Sequence, residues 1–281
     1  MRLLESMESL EIPTGILVKI IIVENDSDTT LKDFVKYWSE KSRFEITYYL
    51  EPSPGIVYAR NRSIAEAGDS DFVCFTDDDQ IVAANWLKEL MKCQAEFNAD
   101  GVAGPTWPIF GKEVPLYIRK FYQPDTYSYG TQVESAFTGN LLIRKKVLDL
   151  MEGPFDLRLN LSGGEDSFLT KQITDSGGMI RFNPDALAYE FVPDNRTKLG
   201  FIAKRSFRIS NTRHFINSIL RPDIHPANII PRLLARLSYG MLISVPLFLF
   251  GGRNKLKGII KVSNAIGGFA FILGKRSQFY R

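Results

Sequence analysis

Three consecutive carboxylates, Asp77, Asp78 and Asp79, close the apolar run "DFVCFT", which is rich in strand formers. Like charges side by side repel, so such a cluster at the end of a buried strand calls for a positive partner. On an extended chain alternate residues point the same way, and Asp77 and Asp79 are expected to converge on one ligand. Hard divalent cations take oxygen ligands, and Mg²⁺ in particular uses one or two carboxylates plus water and substrate phosphate. With no His or Cys nearby, the set suits Mg²⁺ or Mn²⁺ carrying a phosphorylated substrate. The plainer alternative is a solvated acidic turn ahead of the next helix. A second acid pair, Glu165 and Asp166, follows the glycines of "LSGGEDSFLTKQI". Acids are favoured in a first helical turn. Ser162 and Glu165 also have the spacing of a capping box, which is a purely structural explanation. The two glycines argue instead for a mobile loop or a closely approaching ligand.

The elements that must position these acids are legible as alternating strands and helices. Strands are expected at "ILVKIIIV" (16–23), "FEITYYL", "DFVCFT" and "GVAG", with a strand-like "SAFTGNLLIRK" later. Helices are expected at "LKDFVKYWSE", "GIVYARNRSIAEAG", "NWLKELMKCQAEF", from Glu165, and from about Arg196. Leu3, Leu4, Met7 and Leu10 add a helical start. Such alternation predicts an α/β fold with a mixed, Rossmann-like sheet and helices on both faces, ligands binding at the carboxyl ends of strands.

Of 281 residues 44% are hydrophobic and 24% charged, which is ordinary globular composition. The two cysteines, Cys74 and Cys93, read as buried thiols and support neither disulfides nor a zinc site. No basic, apolar and cleavage segments of a signal peptide open the chain, so the cytoplasm is the expected compartment. His214 and His225 are too isolated for a metal site. Net charge is +3, but residues 196–281 hold sixteen Lys/Arg against one acid, a balance of +15 that leaves −12 on the rest. One end of the molecule is thus expected to meet an anionic surface. The domain reading is a catalytic domain over 1–195 and a basic helical, membrane-associating region over 196–281. The apolar run from Gly240 to Phe250 is shorter than a spanning helix and is broken by Ser244 and Pro246. An interfacial anchor on anionic lipid is preferred to a core helix pair or a tilted insertion.

Taken together, "IIIVENDSD", "GIVYARNRSIAEAGDSDFVCFTDDD", "FTGNLLIRKKVL" and "GGEDSFLTKQITDSGGMIRFNPDALAYE" resemble an inverting family 2 glycosyltransferase of the GT-A fold. The nearest subgroup extends lipid-linked repeats of exopolysaccharides such as succinoglycan. The resemblance spans roughly residues 1–215. It implies Asp79 as the metal ligand, with Asp77 and Asp78 at the metal shell and the nucleotide ribose. Glu24, where the family usually has Asp, and Asn25 would contact the nucleotide. Arg60 would face the diphosphate, Asp166 would be the catalytic base with Glu165 beside it, and Gly139 and Asn140 would lie on the acceptor side. Arg205 and Arg208, one helical turn apart, are candidates for an acceptor lipid's diphosphate, or form a solvated face. The implied partners are a nucleotide sugar, a polyprenyl-diphosphate-linked oligosaccharide and the cytoplasmic face of the plasma membrane, with no nucleic acid. Family members begin with a V-x-V-x-I-P-T-Y-N strand, whereas this sequence starts within the following helix. The expectation is either an upstream start or a shortened form with an impaired donor site. A phosphohydrolase would also place aspartates after a strand but leaves the Glu-Asp helix unused. A non-catalytic sugar-nucleotide or membrane-binding scaffold is the competing reading.

Overall fold

The computed structural model describes residues 2–223, 225–244 and 253–277. In chain order it contains α1 (Arg2–Met7), β1 (Lys19–Glu24), α2 (Lys32–Ser39), β2 (Glu45–Leu50), α3 (Ile56–Glu66) and β3 (Phe72–Thr76). Then come β4 (Gln80–Val82), α4 (Trp86–Phe97), β5 (Gly101–Ala103), β6 (Thr106–Phe110), α5 (Leu116–Tyr122), β7 (Asn140–Arg144) and α6 (Lys145–Asp149). The chain continues through α7 (Glu165–Asp175), β8 (Ile180–Phe182), β9 (Ala188–Val192), α8 (Leu199–Leu220), α9 (Ile230–Ser244) and α10 (Arg253–Ile272).

Strands β1 and β2 pair in parallel, as their helical crossover requires. A four-stranded sheet has the order β3-β7-β5-β8, in which β7 runs antiparallel to both β3 and β5 while β5 and β8 are parallel. A third sheet, β4-β9-β6, completes the mixed α/β architecture. The middle strand β7 is buried from Asn140 to Ile143, as a strand covered on both faces must be. Two apolar clusters flank these strands. One joins α1, α2 and α4 through Leu4, Val35, Trp86 and Leu90, and the other joins α3, α6 and α7 through Val57, Leu148, Phe155 and Leu169. Full burial of a side chain such as Leu90 contributes about 1.5–3 kcal/mol.

The chain forms two compact units. The first comprises 1–109, 124–160 and 165–191; the second comprises 110–123, 161–164 and 192–281. The second unit therefore draws in α5 and a four-residue loop besides the basic tail. Its apolar cluster contains Val114, just before α5, and Ile118 of α5 with Ile202 of α8 and Leu256 of α10. Helices α8 and α10 cross closely: a Cβ on Gly267 would lie 2.2 Å from the Phe207 carbonyl oxygen. Asn211, buried in α8, donates to the carbonyls of Gly267 and Lys275, both at 3.0 Å, and accepts from the Ser277 amide. The C-terminal segment is thus a packed helical bundle as well as a basic surface. Among the described residues no helix is long and apolar enough to cross a membrane. Residues 245–250 of the apolar run, Pro246 among them, lie outside the described residues.

Candidate active site

The acidic run lies where a strand ends, but its local geometry differs from the expectation of an extended chain. Asp77 leaves β3, Asp78 and Asp79 form a tight turn, and the Gln80 amide closes it by donating to the Asp77 carbonyl at 3.2 Å. The alternation of an extended chain therefore does not apply to Asp77 and Asp79, and among the described residues no three His, Cys, Asp or Glu side chains form a metal cluster. The turn residues Asp78 and Asp79 are exposed, and the Asp79 carbonyl accepts from the Phe191 amide of β9.

Asp77 faces Arg60 of α3. The guanidinium of Arg60 donates to Asp77 at 3.4 Å through one nitrogen and to Glu165 of α7 through another. Residues more than a hundred positions apart thus converge, which local sequence does not reveal. Arg60 is held over the Phe155 ring at 5.5 Å, and its side chain is only 14% exposed. Its neighbour Asn61 positions that ring, donating to the Phe155 carbonyl at 2.8 Å and accepting from the Phe155 amide. The start of α3 is clamped as well. Asn160 accepts from the Val57 amide and donates to the Pro54 carbonyl, while Asn25 accepts from the Gly55 amide at 2.8 Å. These contacts satisfy amide groups that a helix start leaves open. Asn61 belongs to the Ala-Arg-Asn run that carries the family resemblance, whereas Asn160 had no distinguishing signal in the sequence beyond its type.

The Glu165 carboxylate goes to Arg60, so the expected capping box with Ser162 is not closed; the Ser162 hydroxyl donates to the Gly163 carbonyl. Glu165 Oε2 is buried without a hydrogen-bond partner. Beside it, Asp166 accepts from the Ser167 amide at 2.6 Å. Burial, reinforced by the Glu165 charge and opposed by Arg60, pushes the Asp166 carboxyl up to about 7. A carboxylate held near neutrality is suited to general-base work. The glycines ahead of this pair have a conformational purpose, since Gly163 and Gly164 have φ of 74° and 86°.

The surroundings of Asp77 raise its carboxyl above the ordinary range, with burial first, Asp78 adding and Arg60 opposing. Its side chain still keeps 44% of its surface open. Gly139, just before β7, leaves the room: a Cβ there would stand 2.9 Å from Asp77 Oδ2 and 2.5 Å from Gln80 Nε2. Gln80 in turn accepts from the Thr76 hydroxyl at 2.9 Å. An oxygen-only donor with open surface, beside a turn bearing two further carboxylates, fits a divalent cation completed by water and substrate phosphate.

Other expected contacts are differently placed. Glu24 ends β1, and its carboxylate accepts from the Thr30 hydroxyl and amide, the Leu31 amide and Tyr48. Burial opposes its ionisation, but these hydrogen bonds outweigh that and hold the carboxyl below the ordinary range. Asn140 is 2% exposed. Its carbonyl accepts from Trp86 Nε1 at 2.8 Å and its amide donates to Pro105 and Ala186, so it is a strut and not a surface open to an acceptor. In the second unit, Arg205 lies over the Tyr122 ring at 5.5 Å. Arg205 and Arg208 line a cleft of about 440 Å³ with Lys204, Phe201 and Phe207.

Comparison with known proteins bears on the family and the fold. The model of glycosyl transferase family 2 matches residues 2–150. The succinoglycan biosynthesis protein ExoM of Rhizobium meliloti (strain 1021) is 30% identical over 211 residues, covering 74% of this chain and 68% of that protein. The mannosyltransferase PcManGT from Pyrobaculum calidifontis, solved with GDP-Man and Mn²⁺, shares the fold with a TM-score of 0.64 at 16% identity, over 97% of this chain and 83% of that one. S. aureus TarS 1–349, solved with UDP-GlcNAc, gives a TM-score of 0.52 at 14% identity, over 97% and 87% of the respective chains. The chain belongs to glycosyl transferase family 2 and is a glycosyltransferase of the GT-A fold.

Proposed function

We propose that the enzyme transfers a hexose, with inversion and dependence on a divalent cation, from a nucleotide sugar to a hydroxyl of a lipid-linked oligosaccharide in surface polysaccharide synthesis. The observation that carries the proposal is the convergence of Asp77 and the Glu165–Asp166 pair through Arg60 at one place in the first unit. Asp166 takes the proton from the acceptor hydroxyl as that oxygen attacks the anomeric carbon. The bond to the nucleotide diphosphate breaks with its electron pair, and the configuration inverts in a single displacement. Asp77 and Asp79 would hold Mg²⁺ or Mn²⁺, which as a Lewis acid offsets charge on the diphosphate. Asp78 faces the nucleotide with them. Arg60 keeps Glu165 and Asp77 in register and presents positive charge to the same phosphates. Glu24 and Asn25 shape the loops that border the nucleotide, and Gly139 keeps the space beside Asp77 open. The GDP-Man and Mn²⁺ of the mannosyltransferase and the UDP-GlcNAc of TarS support a metal-assisted donor site.

The lipid-linked acceptor rests on the likeness to the succinoglycan protein and on the second unit. Its cleft combines cationic Lys204, Arg205 and Arg208 with apolar Phe201, Phe207 and Ile266, the pairing that a polyprenyl diphosphate needs. Helix α9 exposes Leu234, Tyr239 and Met241 near Arg232, and the +15 balance of residues 196–281 favours an anionic leaflet. The test presents lipid-diphosphate oligosaccharides in anionic vesicles with a panel of nucleotide sugars and reads the product anomer by proton NMR. Transfer with inverted configuration is expected. Retained configuration, or equal transfer to water-soluble oligosaccharide and loss of vesicle flotation, contradicts it.

A further inference from the structure

The loop ahead of the Glu165–Asp166 pair is held from α8. The Thr212 hydroxyl, on a side chain buried in that helix, donates to the Ser162 carbonyl at 3.2 Å. Thr212 and Ile216 then close on Gly164, where a Cβ would stand 2.7 Å from Thr212 Cγ2 and 3.0 Å from Ile216 Cδ1. Residues 161–164 belong with α8 to the second unit, whereas Glu165 belongs to the first. The peptide bond from Gly164 to Glu165 therefore passes a displacement of this loop directly to the first turn of α7.

Two consecutive glycines at positive φ are an entropically unfavourable way into a helix, because each loses much conformational freedom when it is fixed. A Cβ on Gly163 would meet nothing within 4 Å, so this residue adds no packing of its own. Inside α7 the hydrogen bonds around the base are local. The Asp166 carboxylate accepts from the Ser167 amide, and its carbonyl accepts from the Thr170 hydroxyl. Thr212 supplies a fixed point from another helix. The same face of α8 carries Phe201, Arg205 and Arg208, which lead to Thr212 at spacings of four, three and four residues. One helix face thus lines the cleft assigned to the acceptor's diphosphate and grips the loop that leads to the base.

We infer that Thr212 is a positioning residue for the transfer step: by holding the Ser162–Gly164 loop on α8, it sets the backbone from which Asp166 reaches the acceptor hydroxyl. This rests on the transferase reading of the site. A misplacement of about 1 Å can slow a reaction about 10²-fold. Thr212 has no part in holding the nucleotide or the metal, so its loss acts on turnover and spares donor binding.

The test uses the full chain with Mn²⁺ and whichever UDP- or GDP-sugar gives the fastest nucleotide release, with water as the acceptor. Thr212→Val keeps the side-chain volume and removes the hydroxyl. Its kcat for release should fall about tenfold or more, while the Kd for UDP or GDP in Mn²⁺, read by calorimetry, stays at the wild-type value. Thr212→Ser, which keeps the hydroxyl, should retain the wild-type kcat. An unchanged kcat in Thr212→Val, an equal loss in Thr212→Ser, or weakened nucleotide binding that accounts for the loss overturns the positioning role and leaves the transferase reading intact. Should Thr212→Val fail to fold, Thr212→Ala must show the same split between kcat and Kd. Failure of both to fold assigns the residue to the fold alone and overturns the inference. Absence of nucleotide release from every donor with the wild type overturns both readings.

Discussion

Replacing Asp166 by Asn should silence transfer and at the same time stabilise the fold, by an amount that depends on pH. The Asp166 carboxyl is raised from an ordinary 3.8 to about 7 by burial and by Glu165. At about 1.4 kcal/mol per pH unit, ionising it costs the native state about 4 kcal/mol, part of which belongs to its coupling with Glu165. Because the native value lies above the unfolded one, the cost is absent below about pH 4, grows as pH rises and is complete above about 7. Asn removes the charge, so the variant should exceed the wild type by about 2–4 kcal/mol near pH 8 and match it near pH 4. Urea unfolding in EDTA, without donor, at both pH values reads this directly. In the same variant kcat should fall about 10²–10⁴-fold while nucleotide binding persists. A stability change equal at both pH values, or a loss at pH 8, would refute the electrostatic reasoning. So would wild-type turnover.

Gly139→Ala should drive a methyl into Asp77 and Gln80, costing about 1–3 kcal/mol in thermal unfolding and weakening Mn²⁺-dependent donor binding by calorimetry. Asn140→Ala leaves the Trp86 indole and the Ala186 carbonyl without the Asn140 side chain, and the Pro105 carbonyl with the Ala188 amide alone. About 1–3 kcal/mol of stability should be lost, with the acceptor KM of the surviving folded fraction unchanged. Arg60→Met strands the buried Glu165 carboxylate, and a loss of about 3–5 kcal/mol is expected by urea titration, partly relieved by adding Glu165→Gln.

Much of the first unit was legible because its segments have strong periods. The strands at 19–24, 45–50 and 72–76 and helix α4 lie within a few residues of their expected bounds. Weak signals failed where tertiary pairing decides. Strands β4 and β6 are only three and five residues, the latter containing Pro108, and they exist because β9 pairs between them. "SAFTG" looked strand-like but is the loop before β7, since Thr170 and Asp77 fix its backbone and floor. The acids were correctly placed at a strand end and a helix start. Their partner was hidden, because Arg60 of α3 meets Glu165 of α7, 105 positions later, only in the folded chain. The contacts of Asn140 were hidden for the same reason: its type advertises polarity, and only the fold shows that Trp86 uses it. In the tail, Ser206, Ser210, Asn211 and Thr212 are polar by type but buried within the second unit. Small polar side chains permit such close crossings, and no hydrophobic period records them.

The central claim is metal-assisted sugar transfer with Asp166 as the base, and nucleotide release from a panel of UDP- and GDP-sugars tests it most directly. Wild type, Asp79→Asn and Asp166→Asn are compared in Mn²⁺ and in EDTA, with nucleotide binding followed in parallel. The account predicts release by the wild type in Mn²⁺ alone, loss of metal-dependent binding in Asp79→Asn, and retained binding without release in Asp166→Asn. Full release in EDTA, or normal release by Asp166→Asn, would contradict it.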